Sequence, residues 1–325
     1  MKDFLSSVLQ GLSPDLVTEL WLDHEFTQNI RALPLEYISG LEPFQMLEKL
    51  SLSGHSLVEI PPFPSLMRLG YLDLSHNQIA QIEGLGTLPH LTYLDLSYNE
   101  IEQIDVLQFL SELEHLNLSH NYLKDLTPLE TLSHLKWLSL SGLAHRAIQS
   151  LAPLSSLHNL EVLFVRHLRI GDYRPILKLP SLYALSVSPL NKEALKDLSQ
   201  ISRLRQLSLG GKFLAGKLSL PPLPHLQQLR ISKGEIFDIE GWDHVSSLRE
   251  LELSFLHLST FPPLSKMPQI KKMILHHNQI SQIPITELGN VTYLDVRENP
   301  IHPVLLQEIR QTYPDLELLS GKRGG

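Results

Sequence analysis

Four side chains with planar rings recur at an interval of 22 residues in the first half of the chain. They are Tyr71, Tyr93, His115 and Trp137. Aromatic rings exposed on a surface supply much of the binding energy of protein–protein interfaces. Because the interval is constant, the four rings are predicted to occupy equivalent places in a repeated structure. We therefore expect a stripe of neighbouring rings, whose chemistry is non-covalent recognition.

Acidic and polar side chains accompany these rings. The predicted binding surface consists of Tyr71, Asp73, Tyr93, Asp95, Tyr98, His115, Asn117, Trp137 and Phe164. The acids predict a protein partner that presents Lys or Arg, which could also contact the rings through cation–π interactions. The alternative is that the rings stack on neighbouring strands and stiffen a sheet. The two roles are compatible.

No arrangement of residues typical of catalysis is found. The chain lacks a glycine-rich phosphate loop, a G-x-S-x-G turn and an H-E-x-x-H helix. Of the sixteen histidines, His76 and His120 occupy the same place in two units, but Tyr98 separates them. The consecutive His276 and His277 are expected to diverge. A metal site needs three or four convergent ligands, so we predict no metal, no cofactor and no enzymatic activity.

The rings belong to a repeated stretch that must position them. It reads LGYLDLSHNQIAQI from Leu69, LTYLDLSYNEIEQI from Leu91 and LEHLNLSHNYLKDL from Leu113. Side chains alternate between the two faces of a strand. Leu72 and Leu74 should therefore point inward, and Tyr71 should point outward. The amide of Asn77 is expected to satisfy backbone groups where the chain leaves the strand.

This spelling, L-x-x-L-x-L-x-x-N with a period of 22, resembles the leucine-rich repeat family. The resemblance implies an α/β fold, a right-handed solenoid with a parallel β-sheet on its concave face. The connecting stretches are too short for full helices and should be extended or 3₁₀ segments on the convex face. Units begin at Leu47, Leu69, Leu91, Leu113, Leu135, Leu160, Leu182, Leu204, Leu226, Leu248, Ile270 and Val291. We predict an N-terminal cap with a first strand (1–46), twelve repeats (47–301) and a C-terminal helical cap with a tail (302–325).

Both ends carry further similarities. Val17, Leu20 and Leu22 fit a capping strand, and TELWLDHE at 18–25 resembles the opening of the acidic nuclear phosphoprotein 32 family. The 22-residue repeats are similar to those of the protein phosphatase 1 regulatory subunit. Pro303 predicts a helix over 304–313, and PDLELL at 314–319 resembles the closing motif of intracellular caps, with Ser320 in place of its Asp. Residues 1–12 are interpreted as a short amphipathic segment and not as a signal peptide.

The position that follows each strand is not uniform. Asn occupies it at Asn77, Asn99, Asn121, Asn278 and Asn299, whereas the middle units hold Leu143, Leu168, Leu190, Lys212, Gly234 and Leu256. Those middle turns need other hydrogen-bond partners. The substitutions are explained either by drift in tolerant repeats or by a change of curvature that suits a partner.

The net charge of −8 is unevenly distributed. Residues 1–130 hold 19 Asp and Glu against five Lys and Arg, whereas residues 131–233 hold four against 14. The basic middle offers nucleic-acid binding as an alternative, although a solvated face is favoured. The absence of cysteine favours a reducing compartment, the cytoplasm or a nucleus, and no apolar run is long enough to span a membrane.

The predicted function is that of a non-catalytic scaffold or adaptor. Its N-terminal half would bind a protein partner on the concave face, and the chain is expected to be monomeric by itself. The alternatives are a regulatory subunit of a protein phosphatase and, further, binding of nucleic acid.

Overall fold

The computed structural model describes residues 13–22, 41, 43–60, 63, 66–143, 148, 150–168, 170, 172–188, 192–210 and 214–321. The chain divides into two compact units, Met1–Ser181 and Leu182–Gly325. The predicted amphipathic segment at 1–12, most of the N-terminal cap and the last four residues lie outside the described residues. Within the described part, no helix has the length and hydropathy needed to cross a bilayer.

Seven short parallel strands form the sheet of the first unit. They are β1 (Glu19–Trp21), β2 (Lys49–Ser51), β3 (Tyr71–Asp73), β4 (Tyr93–Asp95), β5 (His115–Asn117), β6 (Trp137–Ser139) and β7 (Val162–Arg166). Each strand pairs with the next one along the chain, and the register places Tyr71 beside Tyr93 and His115 beside Trp137. The side chains of Leu72, Leu94 and Leu116 are fully buried. The alternation of inward leucines and outward rings is therefore confirmed.

Short helical segments return the chain from one strand to the next. Among the described residues of the first unit they are 3₁₀ helices at Glu83–Thr87, Asp105–Phe109, Thr127–Thr131 and Ala152–Ser156, followed by a single α-helical turn, α1 (Arg174–Leu177). A further 3₁₀ helix, Pro14–Leu16, precedes β1. The prediction of 3₁₀ connections is confirmed for these repeats. The α-helical turn differs from the predicted extended or 3₁₀ connection.

Buried asparagine amides join consecutive repeats. Asn121 Nδ2 donates to the carbonyl oxygens of Leu96 (2.8 Å) and Leu118 (3.1 Å), and its Oδ1 accepts from the Ile101 amide at 3.0 Å. Asn77, Asn99, Asn278 and Asn299 make equivalent bonds. The predicted role of this position is confirmed: each amide satisfies backbone groups of its own turn and of the preceding repeat.

The second unit contains a parallel sheet and a smaller parallel pair. The sheet consists of β8 (Ala184–Ser188), β9 (Gln206–Gly210), β11 (Gln228–Ser232), β13 (Glu250–Ser254), β14 (Lys272–Ile274), β15 (Tyr293–Asp295) and β16 (Glu317–Leu319). β10 (Ala215–Ser219) pairs with β12 (Glu235–Glu240). The helical segments are α2 (Lys192–Asp197), α3 (Pro303–Thr312) and 3₁₀ helices at Leu198–Gln200, Trp242–Val245, Leu264–Lys266 and Ile285–Asn290.

The smaller pair shows how two repeats without the asparagine satisfy their backbone. β10 and β12 follow the positions where Asn is replaced by Lys212 and Gly234. Their backbone groups bond to each other between repeats. A Cβ atom on Gly234 would lie 3.0 Å from the Leu214 carbonyl oxygen, so glycine permits this close approach. In these two repeats, the hydrogen bonds of a second pair of strands therefore take the place of the asparagine bonds.

The C-terminal element ends the second unit. α3 begins at Pro303 as predicted, and the His302 ring accepts from the Val304 amide at 3.3 Å. Ser320, which replaces the Asp of the closing motif, accepts a hydrogen bond from Arg310 Nη2 at 2.8 Å. The serine therefore anchors the helix to the last strand. The predicted α/β repeat fold with a parallel sheet is confirmed, whereas the proposed division into caps and twelve repeats stays a prediction.

Candidate protein-binding surface

Four rings stack on the outward face of the sheet in the first unit. The ring centroids of Tyr71 and Tyr93 are 4.2 Å apart with planes 12° from parallel. The ring centroids of Tyr93 and His115 are 4.2 Å apart, and those of His115 and Trp137 are 3.9 Å apart. All four side chains are half-buried. We call these four residues the first ladder. The structure therefore brings the predicted stripe together on one face.

Two tilted rings extend the first ladder at its ends. Trp21 lies 5.4 Å from Tyr71 at an angle of 52°, and Phe164 lies 5.3 Å from Trp137 at 43°. Trp21 and Phe164 lie two residues after the ladder position of their strands, in register with Ser51 and Ser139. Their rings therefore approach the first ladder diagonally across the sheet. Phe164 belongs to the predicted surface, whereas Trp21, which is 45% exposed, does not. Its place between the inward Leu20 and Leu22 was a signal that it would face out.

The acidic row beside the first ladder has a structural role. Asp73 Oδ1 accepts from the Ser75 amide at 2.9 Å, and Asp95 Oδ1 accepts from the Ser97 amide at 2.8 Å. Asn117 Nδ2 donates to Asp95 Oδ2 at 2.9 Å. These bonds hold the turn that follows each strand. Because the bonds to Asp95 come from neutral groups, they leave its negative charge uncompensated.

Stacking limits how the first ladder can meet a cation. Tyr93 and His115 are covered on both faces by neighbouring rings at 3.9–4.2 Å. A cation–π contact requires a cation over an open ring face. The predicted cation–π contact is therefore wrong for these two residues, which present ring edges and polar atoms to solvent.

A second stack of rings lies where the chain leaves the strands. We call His76, Tyr98 and His120 the second ladder. Tyr98 is 4.3 Å from His76 and 4.1 Å from His120, and the planes lie within 12° of parallel. The histidine rings are exposed, and Tyr98 is 47% exposed. Tyr98 belongs to the predicted binding surface, but its stacking between two histidines was missed.

Burial and neighbouring charge shift the pKa values of two ladder residues. Burial raises the pKa of Tyr93, and the adjacent Tyr71 and Asp95 raise it further. Burial lowers the pKa of His115 below its ordinary value of 6.5, while the carboxylate of Asp95 opposes this shift. His115 therefore stacks as a neutral imidazole at pH 7 and above.

We expect the stability of the protein to depend on His115 in mildly acidic solution. Its folded-state pKa lies below the unfolded value of 6.5, so as the pH falls from 6.5 the unfolded chain takes up a proton first. Unfolding is then favoured, until the pH is below both pKa values. The free energy of unfolding at pH 7.5 and pH 5.5 should differ more in the wild type than in His115→Tyr, which keeps a ring but not the imidazole. Equal pH dependence in both proteins would contradict this account.

A histidine cluster in the second unit departs from the sequence prediction. The Nδ1 atoms of His276 and His277 lie 3.1 Å apart, so the expected divergence of these side chains is wrong. The His277 residue has a left-handed backbone (φ 58°), which turns its ring toward Phe255, 4.2 Å away. Among the described residues, no group of three or more potential ligands could hold a metal ion.

Ion pairs reduce the positive potential of the basic middle. Arg174 forms two hydrogen bonds with Asp172, at 2.8 and 2.9 Å. Lys217 contacts Asp238 at 3.4 Å and Glu240 at 2.7 Å, and Arg230 lies 3.6 Å from Glu252. A groove that follows a phosphate backbone needs uncompensated cations and stacking platforms. These pairs therefore weigh against the nucleic-acid alternative.

Comparison with known proteins is consistent with the repeat pattern. Residues 68–109 and 89–131 match the family model described as "Leucine Rich repeats (2 copies)". This region contains three members of the first ladder and the whole second ladder. A search of curated protein sequences finds no match. The similarities to the phosphatase regulatory subunit and to the acidic nuclear phosphoprotein family stay predictions.

Several solved structures share the fold. An internalin (InlF) from Listeria monocytogenes is 23% identical with a TM-score of 0.61, and the alignment covers 96% of this chain and 98% of that chain. A leucine-rich repeat protein from Leptospira interrogans is 22% identical with a TM-score of 0.58, covering 97% and 98%. A chain of the mouse RP105/MD-1 complex is 22% identical with a TM-score of 0.62, covering 85% and 51%. Identities this low establish the fold alone. The family match thus identifies leucine-rich repeats over residues 68–131, and the chain as a whole shares the fold of solved leucine-rich repeat structures.

Proposed function

We infer that this protein is a non-catalytic scaffold or adaptor that binds a protein partner on the outward face of the sheet in its first unit. The observation that carries the proposal is the first ladder, an unbroken row of half-buried rings on four consecutive strands. Half-exposed Tyr and Trp offer large contact areas at a small cost in side-chain entropy, which makes them frequent hot spots.

The stacking itself supports a role in recognition. Each interior ring is held by two neighbours, so it loses little additional freedom when a partner binds. A pre-organised surface of this kind avoids part of the entropic cost of association. Tyr and Trp side chains combine a large apolar ring with a polar group that can hydrogen-bond, which suits them to interfaces. The ladder can therefore stiffen the sheet and serve as a binding surface.

The negative charge of the repeats that carry the first ladder indicates the kind of partner. Residues 66–143 hold ten Asp and Glu against three Lys and Arg. Two of those bases are already paired, Lys124 with Glu102 and Lys136 with Glu114. A partner that presents basic residues would be attracted to this surface and oriented by it.

Hydroxyl-radical footprinting of the complex tests which face is used. The partner is captured from an extract of the native cell with the immobilised chain, and the side-chain oxidation of the chain is then compared with and without the partner. We expect protection of Tyr71, Tyr93 and Trp137. Phe109 and Phe237, which are 68% and 57% exposed, serve as internal controls and should remain reactive. Protection of either phenylalanine with no protection of the first ladder would contradict the proposal.

A further inference from the structure

The second ladder is built at backbone positions that favour glycine. His76, Tyr98 and His120 have φ values of 55°, 55° and 56°. This left-handed region is uncommon for residues with a bulky side chain and costs backbone energy. The same position is left-handed in other repeats as well: Gly54 and Gly142 have φ values of 81° and 70°, and His167, Lys233, Phe255, His277 and Glu298 have φ values of 55–66°. Glycine would therefore relax the backbone at three consecutive turns where the chain carries rings.

The stack is completed by a glycine at one end. A Cβ atom on Gly142 would lie 2.5 Å from Cε1 of the His120 ring. The ring of His120 thus packs directly over the backbone of Gly142. The three rings also face solvent, so burial of a core does not explain them.

The two ladders border a strip of the outward surface in the first unit, and we call this strip the trough. Between them, along each strand, lie the half-buried row of Asp73, Asp95 and Asn117 and the buried row of Ser75, Ser97 and Ser119. Four residues lie between Tyr71 and His76, which places the two ladders at most about 16 Å apart along the strand. The trough is therefore bordered by rings on both sides and carries small side chains and a carboxylate row between them.

We propose that the second ladder is the second wall of a binding trough, which receives a basic segment of the partner protein running across the strands between the two ladders. The inference rests on the proposed function and adds His76 and His120 to the binding surface. Charge complementarity selects this occupant: the ten acids and three bases of residues 66–143 favour Lys and Arg side chains. Those side chains would reach the carboxylate row, and their aliphatic stems would lie along the ring edges.

The test uses fluorescein-labelled deca-arginine as the probe and measures fluorescence anisotropy at physiological ionic strength. The triple variant His76→Gly/Tyr98→Gly/His120→Gly removes the second wall but no Asp, Glu, Lys or Arg. We expect its affinity for deca-arginine to fall about tenfold or more. Its thermal midpoint should equal or exceed that of the wild type, because glycine relieves the left-handed strain.

Charge-matched variants distinguish binding by the carboxylates of the trough from attraction by the overall negative charge of the protein. Asp73→Asn/Asp95→Asn should weaken binding of deca-arginine about tenfold. Glu83→Gln/Asp105→Asn removes the same charge from the 3₁₀ segments and should change the affinity less than about twofold. Equal effects of the two pairs would overturn the trough.

The inference is also overturned if the triple variant binds deca-arginine as the wild type does, or if it melts well below the wild type, since the second ladder would then be structural. If the triple variant does not fold, His76→Gly alone, at the end of the stack, must weaken binding about threefold. A different variant tests the proposed function. If Tyr93→Ala/Trp137→Ala binds the native partner as tightly as the wild type does, the proposed function is contradicted, whatever the glycine variants show.

Discussion

Replacing Asn121 with alanine is expected to lower the free energy of unfolding by about 3–5 kcal/mol. The side chain is completely buried. Its loss leaves the carbonyl oxygens of Leu96 and Leu118 and the amide of Ile101 without the bonds that it provides. Each buried backbone group that loses its partner costs about 1–3 kcal/mol, and these groups belong to two different repeats. The substitution therefore weakens the junction between neighbouring repeats.

Chemical denaturation measures this effect, and Asn290→Ala provides a matched control. Asn290 is exposed and makes a single side-chain bond, to the Pro268 carbonyl oxygen at 3.2 Å. Its replacement should cost less than about 0.5 kcal/mol. If Asn121→Ala is no more destabilising than Asn290→Ala, the junction does not depend on the asparagine.

The double variant Tyr93→Ala/Trp137→Ala is expected to weaken partner binding by about 3–5 kcal/mol, which is a loss of more than a hundredfold. Tyr93 loses its contacts with Tyr71 and His115, and Trp137 loses its contacts with His115 and Phe164. The variant therefore removes two binding rings and loosens the one between them. The fold should survive, because the inward Leu94 and Leu138 of the same strands remain buried.

The strand positions, the register and the asparagine bonds could all be predicted from the sequence. A period of 22 residues places Leu72, Leu94 and Leu116 in equivalent inward positions, and the alternation of a strand then places Tyr71, Tyr93 and His115 outward. The resemblance to leucine-rich repeats predicted that the strands run parallel. These features depend on the order of residues along the chain, which a repeat turns directly into neighbours in space.

The features that were missed depend on side-chain torsion angles and on backbone dihedrals. Periodicity put His76, Tyr98 and His120 in the same place, but the stacking of the three rings depends on their torsion angles. The left-handed backbone at His277 brings it to His276, where consecutive positions predicted divergence. The sequence allowed the rings to stack on neighbouring strands, but the covering of both faces of Tyr93 and His115 depends on ring orientation, which the spacing of residues does not determine.

The replacement of the asparagine in the second unit could be anticipated only in part. The sequence shows that Gly234 occupies the asparagine position, and therefore that its turn needs other hydrogen bonds. The pair of strands that replaces the asparagine bonds, β10 with β12, involves a close approach of Gly234 to the Leu214 carbonyl oxygen, and the sequence does not show this approach.

Titration calorimetry of the purified partner against three proteins tests the central claim most directly. The proteins are the wild type, Tyr93→Ala/Trp137→Ala, and the control Phe109→Ala/Phe237→Ala, which removes two exposed rings outside the ladders. Circular dichroism first establishes that all three are folded. We predict that the ladder variant loses more than about a hundredfold in affinity and that the control stays within about threefold of the wild type. Equal affinities for the wild type and the ladder variant would show that the first ladder is not the binding surface.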